Sequence, residues 1–432
     1  MNAHCRRFVV LSVTVLLAFS ATACRTPVPQ GSVITFPGSA VGAEAEVLRR
    51  QLRRFMESHP DIKVVQRPTP DAADQRHQLY VQWLNAGASD PDILQLDVVW
   101  TAEFAAAGWL LPLDRFAPDT DNFFPSTLVA NRWAGTLYAL PWFVDVGMLY
   151  WRTDLVDHPP RTFDELSYQA AAVQTRVGLP FGFIWQGARY EGLVTVFLEH
   201  LGGFGGCILD SVGHVMVDAE PAIQALTYMR DAIYQARIVP PVVLTWQEEQ
   251  TRFAFQNGQA VFMRNWPYAA ALLADRSASQ VSGKFAVAPM PALSTATPTA
   301  TLGGSQLAIN ARSDHPEAAY AIIDYLTQPA QMLERARIAG QYPARPALYT
   351  ESDLASTLPL PPEQVRRIIE HAVPRPVTPV YTELSDILQI ALHRALTQQQ
   401  SPTAALSDAA RAMRTLLTKV GLAPESNAWQ GR

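Results

Sequence analysis

Strand-like apolar runs alternate with stretches of helical periodicity along most of this chain, and that alternation narrows the fold more than any other feature. Residues 33–36 form a short β-branched and aromatic run. From 44 to 58, Val47, Leu48, Leu52, Phe55 and Met56 recur at helical spacing with arginines and glutamates between them, and His59-Pro60 stops the helix. Residues 62–65 read as a strand and 74–84 as a helix. A buried strand over 93–99 runs directly into a helix over 102–107 that ends at Gly108. Such alternation predicts an α/β fold, a mainly parallel sheet with helices on both faces.

The stretch 137–151 (LYALPWFVDVGMLYW) is aromatic-rich and broken by Pro141 where the first α/β unit should end, and it reads as a crossover into a second lobe. Helical patterns resume over 163–175, 191–201, 220–236 and 247–256, with Thr162 placed to cap the first of them. The Ser- and Thr-rich stretch 294–301 reads as a second passage between lobes, ahead of a strand at 306–310 and a helix at 315–326. Apolar spacing over 365–372, 384–396 and 404–420 makes the C-terminal part helical. No internal repeat is visible.

The first 23 residues read as a secretory signal: basic residues, an apolar run over 8–17, then Ala21-Thr22-Ala23 before Cys24. That run is about half of the ~20 residues a membrane-spanning helix needs. Export is therefore expected, with Cys24 as the residue to be lipidated and 24–32 as a tether. Cys5 leaves with the signal, so Cys207 has no expected disulfide partner. Without Arg6 and Arg7 the 34 basic groups fall to 32 against 39 acidic ones, which argues against nucleic acid as partner. The 432 residues, with 48% hydrophobic and 17% charged, suffice for two packed lobes.

Enzyme motifs are missing. Gly283-Lys284 is followed by Phe285, so there is no phosphate loop, and Gly303-Gly304-Ser305 lacks the closing glycine of a nucleophile elbow. No paired His or Cys spacing marks a metal site, so neither metal nor cofactor is expected. Asp97 and Asp145 each interrupt an apolar segment, a costly placement unless the carboxylate has partners. They could act as a hydrolytic pair or as ligands for hydroxyl groups. Binding is favoured because polar acceptors and aromatic rings cluster three times: Asp97 with Trp100, Trp142 with Asp145, and the aromatic pair Trp266 with Tyr268. Sugars present hydroxyl edges and C–H faces, which such pairs suit. The alternative for the tryptophans is core packing.

The segments 92–110 (DILQLDVVWTAEFAAAGWL), 140–152 (LPWFVDVGMLYWR), 162–166, 253–267 (FAFQNGQAVFMRNWP) and 302–310 (LGGSQLAIN) together resemble the family 1 extracellular solute-binding proteins of ABC sugar importers. DVVWTAEFAAAGWL and NWPYA are most similar to the trehalose/maltose-binding branch. The resemblance implies a type II, maltose-binding-protein-like fold of two lobes with a hinge and an interlobe ligand cleft. The first lobe would comprise 33–142 plus 301–343, and the second 143–300 plus 344–432. The chain would pass between them near 141–146, 298–302 and 342–346.

The implied function is non-enzymatic: capture of a sugar such as trehalose, maltose or a related disaccharide, and delivery to ABC permease subunits served by a cytoplasmic ATPase. The implied protein is a monomer, and with the signal junction it would be periplasmic or on the outer face of the cytoplasmic membrane, lipid-anchored through Cys24. Residue by residue, Asp97 and Asp145 match acids that bind sugar hydroxyls, Trp266 and Tyr268 the aromatics of the far lobe, Gly304 a main-chain contact and Arg375 a C-terminal arginine. Glu44 and Arg76 match polar contacts of the first lobe. Ser305 stands where the branch often has an aromatic residue, which removes one stacking surface and counts against trehalose in particular. A secreted carbohydrate-active hydrolase is the rival class; another oligosaccharide or a glycerophosphodiester is the rival ligand.

Overall fold

The computed structural model describes residues 31–38, 43–293 and 299–424. The signal, Cys24 and the 25–30 part of the tether lie outside them, as does the 294–298 part of the Ser/Thr-rich passage. Among the described residues, Cys207 is exposed and free.

The first lobe opens with β1 (Ser32–Gly38), α1 (Glu44–Ser58) and β2 (Ile62–Pro68), the two strands pairing in parallel. The stripe Val47, Leu48, Leu52 and Phe55 is the buried face of α1, as its spacing requires. Next come α2 (Ala73–Asn85), β3 (Ile93–Asp97), α3 (Thr101–Ala106), α4 (Pro125–Val129) and a small hairpin of β4 (Arg132–Trp133) and β5 (Thr136–Leu137). β6 (Ala139–Val146) then carries the chain out, and after Gly147 β7 (Met148–Arg152) belongs to another sheet.

The second lobe holds α5 (Phe163–Val177), β8 (Phe181–Ile184), α6 (Glu191–Gly203), α7 (Glu220–Tyr234), α8 (Glu248–Gln256), β9 (Ala260–Asn265), α9 (Tyr268–Leu273) and β10 (Phe285–Ala288). Its sheet runs β10-β7-β9-β8. Thr162 does cap α5, its Oγ1 accepting from Glu165 N at 3.1 Å. α6 is apolar on nearly all sides and almost wholly buried, the mark of a core helix.

The chain returns as β11 (Leu302–Ile309), which inserts between β3 and β6 and runs antiparallel to both. The expectation of a mainly parallel sheet is thereby corrected: of the described ladders only β1–β2 and β8–β9 are parallel. The reason is topological. Strands that return from the other lobe need no helical crossover of their own and can lie antiparallel.

α10 (Pro316–Leu326), α11 (Pro329–Ala339), α12 (Ser352–Ala355) and α13 (Pro362–Glu370) follow, and α14 (Tyr381–Leu396) and α15 (Pro402–Lys419) pack with α6 and α7 of the second lobe. The chain does not leave the first lobe at 342–346. Val144 N donates to Tyr342 O, Arg345 Nε bonds Thr327 O at 3.0 Å, Tyr349 packs edge-on to Phe124, and α12 lies on α11. The third passage falls later, between α13 and α14, where Val373 bridges to Thr301.

Candidate functional site

The face of β3-β11-β6 that carries the acids follows from register. Asp97 lies opposite Ser305, Phe143 opposite Ser305, and Asp145 opposite Gly303. Opposed residues share a face and so do positions two apart, so Asp97, Ser305, Gly303 and Asp145 all look the same way. Gln95 shares that face: its Nε2 donates to Ser305 Oγ at 3.1 Å and to Glu44 Oε1 at 2.7 Å. Glu44 opens α1, and Asp97 closes β3 just before α3, so the acids gather where strands end and helices begin. In open α/β sheets this is the edge where ligands bind.

Register slips in β6 between Ser305 and Gln306, leaving Trp142 as the extra residue of a β-bulge. The bulge turns Trp142 and Phe143 toward one guanidinium, that of Arg335 on α11, whose carbon lies 3.6 Å and 5.2 Å from the two ring centroids. Gly304 has a left-handed φ of +119°, and a Cβ there would overlap the Phe143 carbonyl oxygen.

From the second lobe, Trp266 follows β9 and covers this face: a Cβ built on Gly303 would lie 3.3 Å from the indole and 3.5 Å from Asp145 Cβ. Behind Trp266 the Arg264 guanidinium stacks at 3.8 Å, itself fully buried and paired with Glu199 of α6, Nε to Oε2 at 2.7 Å. Gly147 makes room for this pair, since a Cβ there would overlap the Glu199 carboxylate. Tyr268 is buried and its hydroxyl donates to Glu249 at 2.7 Å.

Arg375 joins the two lobes. Its Nη2 donates to Asp97 Oδ1 at 3.0 Å and its Nη1 to Glu191 Oε1 at 2.6 Å. The Tyr381 hydroxyl donates to the same Glu191 oxygen at 2.7 Å, Ser385 bonds the other oxygen, and Glu191 N donates to Asp74 Oδ1 of α2 at 3.3 Å. Thr382 Oγ1 reaches Glu103 of α3 at 2.7 Å, so the N-terminus of α14 is seated on the first lobe.

Electrostatics separate these groups. Burial, then Glu44 and Asp97, push Asp145 up to about 8 against the opposing charges of Arg264 and Arg335. Asp74 rises to about 6 through burial and Glu191. Arg375 is buried, which opposes its charge, but Asp97 and Glu191 hold it well above the ordinary value.

Of the eight residues expected at the site, Asp97, Asp145, Glu44, Trp266, Gly304 and Arg375 gather about one face of β3-β11-β6. Arg76 braces the loop before α2, its Nη1 donating to Pro70 O and Asp71 O, and it lies 5.3 Å from the Trp100 ring. Trp100 itself packs with Tyr80 and Phe104 in the core, so the pairing of Asp97 with Trp100 supplies no open stacking face. Sequence reasoning missed Glu191, Asp74 and Arg335. An acid at the head of apolar α6 was a visible signal for Glu191, whereas Arg335 sits among other charges of α11 and gave none. Two shallow surface hollows, one along α15 and one between Arg54 and Arg337, hold none of these groups.

The profile of bacterial extracellular solute-binding proteins matches residues 39–333. A probable ABC transporter-binding protein of Deinococcus radiodurans is 35% identical over 413 residues, covering 92% of this chain and 95% of that one. Maltose-bound MalE3 of T. maritima superposes with a TM-score of 0.86 at 43% identity, over 89% of this chain and 100% of the other. A maltotriose-binding protein of Pyrococcus abyssi is 25% identical over 250 residues, 57% of this chain and 51% of that protein. Two lobes, acids gathered at strand ends where the lobes meet, and these matches lead to one conclusion: the chain belongs to the bacterial extracellular solute-binding protein family.

Proposed function

We propose that this protein captures a neutral sugar, a disaccharide of the maltose or trehalose type, and presents it to an ABC permease as an exported lipoprotein anchored through Cys24. The observation that carries the reading is Trp266 of one lobe laid over Gly303 beside Asp145 of the other. A flat ring set against a buried carboxylate suits a sugar, whose C–H face stacks while its hydroxyls bond. The sugar ligands of MalE3 and the maltotriose-binding protein support it, as does the ABC transporter role named for the D. radiodurans relative. Asp97, Asp145, Glu44 and Arg375 would bond hydroxyls, the Gly304 main chain would contribute, and Tyr268 and Arg76 would hold the walls.

Only a closed arrangement offers both lobes to one ligand, so binding would shift an open-to-closed equilibrium that the permease reads. Micromolar affinity, about −8 kcal/mol, suits capture followed by release. A thermal-shift screen of maltose, trehalose, longer glucans and glycerophosphodiesters tests the reading. A shift of several degrees with one of the neutral sugars is expected. Stabilisation by glycerophosphodiesters alone, or glucose released on incubation with either disaccharide, would contradict it.

A further inference from the structure

Three polar groups beside the acid cluster are left unspent by the protein. Arg335 is 1% exposed, and of its donors Nη1 bonds Gln341 Oε1 at 2.7 Å while Nε and Nη2 have no hydrogen-bond partner in the protein. The indole N–H of Trp142, also 1% exposed and stacked under that guanidinium, has none. Asp145 Oδ1, three residues along the same bulged strand, has none either. Arg335 and Asp145 feel each other's charge, yet no ion pair joins them. Buried polar groups are nearly always met by a partner, and each one left alone is costly. A cluster of three therefore marks a place built to meet something else.

The chemistry of that partner follows from the donor set. Trp142 and Arg335 can only donate; the Asp145 carboxyl can accept and, while it carries its proton, also donate. A hydroxyl does both. An anion would meet the field of the three acids that act on Arg335: Glu44, Asp145 and Glu334. We infer that Arg335, Trp142 and Asp145 form a subsite for adjacent hydroxyls of one sugar ring, with Arg335 as a specificity-determining residue that selects a neutral polyol over an anionic ligand. The inference rests on the sugar-binding reading and deepens it. The bulge is what makes the subsite: without the extra residue, Trp142 and Phe143 would alternate across β6 and only one would reach the guanidinium.

Trp142→Phe removes the N–H and keeps the aromatic face; Arg335→Met removes the charge and keeps the bulk. Calorimetric titration of both and of the wild type, with maltose, trehalose and their mono-deoxy analogues, is the test, alongside the unfolding midpoint without ligand. Loss of one neutral hydrogen bond is expected to weaken Trp142→Phe up to about 10-fold, and loss of the charged donor to weaken Arg335→Met about 10- to 100-fold. The unfolding midpoint of Trp142→Phe should stay near the wild-type value. For the analogue lacking the hydroxyl that Trp142 meets, wild type and Trp142→Phe should bind equally. Unchanged affinity of Trp142→Phe for every sugar that the wild type binds would overturn the subsite alone, even if Arg335→Met does not fold. Failure of the wild type to bind any sugar would instead overturn the sugar reading, and the subsite with it.

Discussion

Arg375 and Arg335 are both buried, yet the protein uses them in opposite ways. Arg375 is shared between Asp97 of one lobe and Glu191 of the other, and these acids raise its hold on its proton despite burial. Arg335 lies on an indole with one amide partner, and burial pushes it down to about 10 although Glu44 and Asp145 oppose the fall. A buried charge whose donors are met by carboxylates fixes the position of one lobe on the other. Arg335 keeps both Nε and Nη2 unmet and Arg375 only Nε, so the first is chiefly available to a ligand while the second chiefly braces the lobes.

The contrast can be broken by variants of decreasing effect. Arg375→Ala should be the most damaging, because it leaves Glu191 buried without its cation; breaking such a pair costs about 3–5 kcal/mol. Urea unfolding measures it, and a loss below about 1 kcal/mol would deny Arg375 its bracing role. Gly304→Ala should follow, at about 1–3 kcal/mol, because a side chain at φ +119° is strained and its Cβ meets the Phe143 carbonyl.

Asp145→Asn tests the unspent side through pH. The folded value of about 8 lies above the ordinary 3.8, so the folded protein holds a proton that the unfolded chain releases. That contribution to stability is full below about pH 4 and is lost as pH rises through 8. Unfolding midpoints of the wild type should therefore fall relative to those of Asp145→Asn between pH 5 and pH 9; parallel curves would mean that Arg335 already neutralises the acid. Asp97→Ala should have the smallest effect on the ligand-free protein, about 1 kcal/mol or less, since Arg375 keeps Glu191. Its sugar binding should nonetheless disappear, which titration would show.

Much of this was legible in sequence because it is local. Helical spacing located α1 and α5, and an acid within an apolar run is conspicuous at Asp97 and Asp145. What escaped depends on distant pairing. The return of β11 between β3 and β6 makes the sheet antiparallel, and no periodicity reports which strand lies beside which. The bulge at Trp142 is a mismatch between β6 and β11 and exists in neither strand alone. Trp100 looked like a stacking surface beside Asp97, but α3 folds it into the Tyr80 and Phe104 cluster. The late third passage rests on contacts of Arg345 and Tyr349 with residues far away in sequence.

The central claim, one sugar held by groups from both lobes, is tested most directly by calorimetric titration of the exported chain with maltose and trehalose. Saturable one-to-one binding near micromolar is expected for at least one of them, with no glucose released. No heat of binding with either sugar or with longer glucans, under conditions where the protein unfolds cooperatively, would contradict it.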